Sequence, residues 1–279
     1  MNSKFKSSKA KLLKKFFLLL PFILITLIFI IIPVCLVLVK AFIPASGGTV
    51  ADNWAIINGF IWQKIFTSFI VALLTTLFCL LIGFSFAYLL SGSRSKIFKT
   101  LVLFIITAPI WMSFLIKIVG LKCFFDIVAG YDNSTYGHIW TIIGLTYVYL
   151  PFMILPLYSV LNDMPRNLVY ASYDLGCSKT RTLIKVVIPY CLGAMVSGIT
   201  LVFLPSLTTV GVTQFLNNST DASLIGNIIA DMGDQALSNN AAIGAASAIS
   251  LVIGAILIAG FIGYVIIRRL VLRKRSSHG

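Results

Sequence analysis

Six apolar stretches run through this chain, each near the roughly 20 residues that a helix needs to cross a hydrocarbon core. They are Phe16–Val39, Phe66–Leu90, Thr100–Leu121, Ile139–Val160, Leu192–Val210 and Ala241–Ile267. Inside lipid no water is available to the backbone, so such a segment must satisfy its own N–H and C=O groups, as a helix does. Composition agrees: 59% of the 279 residues are hydrophobic and 11% are charged, against about 25% charged in a soluble domain. Too little polar surface remains to cover a water-soluble globule, so the expected class is an all-α membrane protein with six transmembrane helices. The first stretch is expected to stay in the mature protein. Its apolar run exceeds the usual 7–15 residues of a signal peptide, and no small-x-small cleavage site directly follows it.

The net charge of +14 would suggest nucleic acid in a soluble protein, but the charges sit at span ends and no nucleic-acid partner is expected. Lys4, Lys6, Lys9, Lys11, Lys14 and Lys15 precede the first span. Arg94, Lys96 and Lys99 lie between the second and third, and Arg166, Lys179, Arg181 and Lys185 between the fourth and fifth. Arg268, Arg269, Arg273, Lys274 and Arg275 follow the sixth. With six alternating spans, those 18 of the 22 basic residues share one side, and six of the eight acids (Asp52, Asp126, Asp132, Asp221, Asp231, Asp234) share the other. The positive-inside rule then places both termini in the cytoplasm, in a multi-pass protein of the cell membrane. The layout is a basic segment 1–15, a six-helix domain 16–267 with a long cytoplasmic loop 161–190, and a basic tail 268–279.

The five cysteines Cys35, Cys79, Cys123, Cys177 and Cys191 form no CxxC or zinc spacing and are read as small packing residues. His138 and His278 are too far apart to suggest a metal site. No repeat of fixed period is evident, and no matching pair of interrupted helices marks an inverted repeat.

The 161–190 loop carries the most information. Leu161–Leu175 reads as the start of an amphipathic helix with Pro165 in its first turn. Gly176 follows where a chain turns through positive φ. Ser178 is placed to cap a second helix, Lys179–Val187, which Pro189 is expected to stop. Tyr170-Ala171-Ser172-Tyr173-Asp174-Leu175-Gly176, followed by Ile188-Pro189, resembles the coupling-helix motif of binding-protein-dependent ABC importer permeases. That pattern is Glu-Ala-Ala, three residues, Gly, then an Ile/Leu-Pro further on. Ala171 and Gly176 match it. Tyr170 stands in place of the glutamate and Ser172 in place of the second alanine. The segments Ala108–Lys122, Ile143–Tyr158 and Ser223–Ile229 are similar to the PotB-type branch, the permeases of spermidine/putrescine importers.

The resemblance implies a type I importer permease and a set of partners: a second permease subunit, an ATPase dimer and an extracytoplasmic substrate-binding protein. It marks Tyr170, Ala171, Ser172, Asp174, Gly176 and Lys179 as the contacts with the ATPase. ATP and Mg are then bound by that partner. The chain itself has no GxxxxGK[ST] run with which to cradle phosphates, so neither a cofactor nor a catalytic residue is expected in it.

For a substrate pathway the residues singled out are Trp111, Tyr147, Tyr149 and Lys117. Ring faces attract a polyammonium ion by roughly 0.5–2 kcal/mol each. Trp111 follows Pro109, which is expected to kink the third span. Lys117, in the last two turns of that span, is expected to snorkel outward, because a lysine at the bilayer centre costs about 3 kcal/mol. A secondary transporter would need membrane-embedded acids, and the six spans contain none. A membrane enzyme would need clustered His, acid or Ser/Lys groups at one depth, and none is evident.

The charge separation makes a direct prediction. In a cysteine-free variant, single cysteines at positions 52 and 221 should react with an impermeant thiol reagent from outside the cell only. Labelling only from the cytoplasm would invert the topology.

Overall fold

A computed structural model describes residues 19–43, 49–129, 137–216, 223–235 and 240–276, and these are helical almost throughout. The helices are α1 Leu19–Phe42, α2 Val50–Ala55, α3 Gly59–Gly92, α4 Lys96–Trp111, α5 Phe114–Ala129, α6 Gly137–Asp163, α7 Arg166–Asp174, α8 Lys179–Leu207, α9 Val212–Leu216, α10 Ile225–Gln235 and α11 Asn240–Ser276. Among the described residues α1, α3, α6, α8 and the Ile243–Gly260 part of α11 are long and apolar enough to cross a membrane. The α4–α5 pair makes a sixth span if it is counted as one. The lysines of segment 1–15, Asp132 and Asp221 lie outside the described residues.

The third span is not the single kinked helix expected. Helix α4 ends at Trp111, Met112 is extended with ψ 148°, and α5 leaves at 104°. Proline has no N–H and its ring crowds the carbonyl four residues back. Pro109 therefore weakens the last turn of α4, which closes through a shorter Met112 N–H to Pro109 C=O bond of 3.2 Å.

Pro189 does not stop a helix either, and α8 runs on through it to Leu207. The turn before it, Leu183–Val187, is π-helical, with the Ile188 N–H bonded five residues back to Leu183 O. Helix α1 repeats the device. Leu27–Ile31 is π-helical, the Ile32 N–H bonds Leu27 O, and Pro33 follows. Both sites read Leu-Ile-x-x-x-Ile-Pro. One extra residue in the turn relieves the clash between ring and carbonyl, so the helix passes the proline unbroken.

The chain divides into two compact units, residues 60–228 and residues 1–59 with 229–279. In the first unit, α3, α6 and α8 surround Met153, which is fully buried with Cys79, Leu157 and Cys191. Glycines permit the approach. A Cβ on Gly83 would lie 2.9 Å from Met153 Cγ, and one on Gly198 2.5 Å from its sulfur. A second core joins Val71, Ile118, Leu145, Val148, Val212, Leu216 and Leu224.

Beyond α8 the chain breaks at Gly211, φ +85°. A buried polar cluster holds this break. Asn227 Oδ1 accepts from Gly211 N–H at 2.9 Å, Asn227 Nδ2 donates to Thr213 Oγ1, and Ile225 N–H donates to Ser68 Oγ at 2.9 Å. Gly226 sits against the carbonyls of Thr208 and Thr209, with no room for a Cβ.

In the other unit α1 packs along α11. Buried Asn53 on α2 donates to the carbonyls of Ala41 (3.3 Å) and Ile43 (3.0 Å) as α1 ends. Thr49 and Asp52 form a reciprocal capping box for α2. A Cβ on Gly244 of α11 would press on the Asn53 amide.

These contacts rank two glycines. Gly226→Ala drives a methyl into backbone and should cost about 1–3 kcal/mol, whereas at Gly198 the flexible Met153 side chain can yield and the cost should stay below about 1.5 kcal/mol. Thermal unfolding of the two variants in detergent tests the order.

Candidate functional site

The loop after α6 begins at Pro165, which has extended backbone (ψ 121°) and starts α7 rather than sitting in its first turn. Helix α7 closes with the hydrogen bonds of a left-handed helix stop. Cys177 N–H bonds Ser172 O at 3.0 Å and Gly176 N–H bonds Tyr173 O at 2.8 Å, with Gly176 at φ +77°. Ser178 then caps α8, its Oγ accepting from Arg181 N–H at 3.4 Å. The turn and the cap fall where the sequence placed them.

The two arms are pinned by a contact that the sequence reading did not foresee. Ser172 Oγ and Thr182 Oγ1 lie 2.5 Å apart, both buried. Met164, Val169 and Leu183 pack onto the Met153 core, which fastens the loop to the bundle. Of the six residues singled out here, Tyr170, Ala171, Asp174, Gly176 and Lys179 are exposed, while Ser172 faces inward and holds the loop together. The tip also presents Leu175, 85% exposed. Ser172 lies one turn beyond Val169 on the packed face of α7, and that spacing was the available signal.

Beside the loop lies a cavity of about 510 Å³, bounded by Tyr88, Lys99, Asn162, Arg166, Tyr170 and Tyr173 among others. Lys99 ties its walls, donating to Ser91 O at 2.8 Å and to Asn162 Oδ1 at 3.0 Å.

The pathway residues are not gathered into one place. Trp111 ends α4 and is 86% exposed, and Tyr147 is 42% exposed. Tyr149 is half-buried, hydrogen-bonded to Thr209 and 6.3 Å from the Phe152 ring. Lys117 lies on α5, after the bend, and is 9% exposed beside buried Ile118. Asp126 is half-buried, and Asp231 and Asp234 are exposed.

The arrangement of long spans with a rigid helix-turn-helix between two of them is a transporter permease fold. The fold is similar to a solved bacterial ABC transporter involved in import of the acidic polysaccharide alginate (TM-score 0.67, 14% identity, covering 92% of this chain and 97% of that one). It is also similar to the MetNI methionine ABC transporter (TM-score 0.57, 21% identity, covering 75% and 95%). Residues 79–276 match the family of binding-protein-dependent transport system inner membrane components. The chain is 39% identical over 262 residues to the spermidine/putrescine transport system permease protein PotB homolog of Mycoplasma genitalium, spanning 91% of this chain and 90% of that protein. The Mycoplasma pneumoniae counterpart is 38% identical over 263 residues, with the same coverage. The Escherichia coli permease protein PotB is 35% identical over 193 residues, 64% of this chain and 69% of that one. The chain belongs to the binding-protein-dependent transport system inner membrane component family, as the permease subunit of an ABC importer.

The pinned hydroxyls yield a test. Ser172→Ala and Thr182→Ala should each lower stability by about 1 kcal/mol, and the double variant by less than their sum. Denaturation midpoints of the four proteins close the cycle.

Proposed function

We propose that this permease carries polyamines, spermidine or putrescine, inward across the cell membrane as half of a translocation pathway. The observation that carries the transport mechanism is the exposed tip Tyr173–Gly176 held on a loop fastened to the bundle. Such a tip gives an ATPase dimer a fixed handle, with Tyr170, Ala171, Asp174, Gly176 and Lys179 at the contact. The charge separation supports placing that tip and both termini in the cytoplasm. ATP and Mg belong to the ATPase subunits. A second permease supplies the other half of the path, and an extracytoplasmic binding protein delivers the solute. The substrate class is supported by the relatives named as spermidine/putrescine permeases at 35–39% identity.

A polyamine carries several positive charges, and exposed Trp111 and Tyr147 offer ring faces to it. The exposed acids Asp231 and Asp234 would raise cation concentration nearby, an effect that salt screens.

Two measurements test this reading. Gly176→Val puts a β-branched residue at positive φ, costing about 1–2 kcal/mol, and with Asp174→Lys it should reduce ATPase co-purification while membrane insertion persists. Full ATPase recovery in both variants would remove the docking role. In proteoliposomes holding the complete transporter, labelled spermidine or putrescine should accumulate with ATP, more slowly for Trp111→Ala. Uptake of an anion or sugar without polyamine-stimulated ATP hydrolysis would remove the polyamine assignment alone.

A further inference from the structure

We infer that the cavity beside α7 is a binding site for the phosphate group of an anionic phospholipid of the cytoplasmic leaflet. The inference rests on the proposed topology, which puts the ends of α3 and α6 and the start of α4 at the inner membrane surface. Its walls carry two cations, Lys99 and Arg166, and no acid. Two of the three donors on the Lys99 ammonium are engaged, by Ser91 O and Asn162 Oδ1, which leaves one for a ligand. Arg166, exposed in the first turn of α7, offers a planar fork suited to two phosphate oxygens. Tyr88 on the cavity wall carries a further hydroxyl donor. The volume of about 510 Å³ lies within the roughly 300–1,000 Å³ of small-ligand sites.

The surroundings select a lipid over a free anion. Leu89 on the cavity wall is 74% exposed, and Ile97 and Leu101 on α4 are 74% and 57% exposed. On the proposed topology these exposed apolar side chains, on the cavity wall and on the helix that carries Lys99, offer a surface to acyl chains once a headgroup is seated. Basic pockets between helices on the cytoplasmic side take anionic headgroups by this combination. Tyr170 and Tyr173 belong both to the cavity and to α7, so an occupied site would brace the loop and make transport respond to the charge of the inner leaflet.

The test reads bound lipid, so a failed substrate assay leaves it unaffected. The complete transporter is reconstituted in nanodiscs of equal phosphatidylglycerol and phosphatidylcholine, re-extracted in mild detergent, and its retained lipid quantified by mass spectrometry. Wild type should retain phosphatidylglycerol preferentially. Arg166→Gln, a surface change, should lower that retention about fivefold. Lys99→Gln should do the same, and Lys99→Arg, which keeps the charge, should restore it. Equal retention of both lipids, or no change in Arg166→Gln and Lys99→Gln, overturns the site. Displacement of phosphatidylglycerol by millimolar inorganic phosphate would make it an anion site without lipid preference and overturn the lipid assignment. Loss of ATPase from Arg166→Gln with phosphatidylglycerol fully retained would assign the cavity to the partner subunit instead, and equally overturn it.

Discussion

In hydrocarbon an unpaired backbone N–H or C=O costs several kcal/mol, and this fold is organised by how the chain answers that cost wherever a helix cannot continue. Among the prolines within the spans, Pro33, Pro189 and Pro109 show two different outcomes. At Pro33 and Pro189 the preceding π turn passes the ring and the helix goes on. At Pro109 no such turn forms, and the span breaks into two arms at 104°. The break after α8 is met differently again, by a buried asparagine. Asn227 takes the Gly211 N–H that a helix would have used, and its own amide is satisfied by Thr213. At this second break irregular backbone is tolerated because protein covers it.

Packing follows from the same solvent. Lipid tails are as apolar as leucine, so helices gain little by hiding leucine from them, and close contact must come from shape and hydrogen bonds. Met153 shows the shape term, an adaptable side chain wedged between Gly83 and Gly198 on two neighbouring helices. Ser68, Asn227, Ser172 and Thr182 show the hydrogen-bond term: each is buried, and each links elements far apart in sequence or across a turn.

The parts of this architecture legible in the sequence were those set by a solvent or by one residue's backbone. Spans follow from apolar length, and the turn at Gly176 and the cap at Ser178 follow from residues with few alternatives. Loop ends proved less legible, since Gly59–Gly92 and Lys179–Leu207 extend well past the apolar cores that announced them. What was missed depends on partners distant in sequence. A proline after a π turn and a proline at a break look alike in a hydropathy profile, so neither the break near Pro109 nor the continuation through Pro189 is legible there. The burial of Lys117 is hidden for the same reason, because its position is counted along one continuous span that in fact breaks after Trp111. Asn227 was noticed within a family-like segment, but nothing local indicated that its side chain would reach back to Gly211.

The loop joins these threads. Its tip is exposed, its inner face is pinned by the Ser172–Thr182 contact, and its second arm is the first turn of α8 itself. A displacement of Leu175 therefore moves α7 and the head of α8 as one piece. The next turn along α8 is the π turn, followed by Pro189, where one backbone bond is missing and the helix is wider than elsewhere. Leu183 and Val187 of that turn pack on the Met153 core, which fastens this arm of the loop to the bundle. The remaining length of α8 packs along α6, so the loop joins the bundle through one continuous helix.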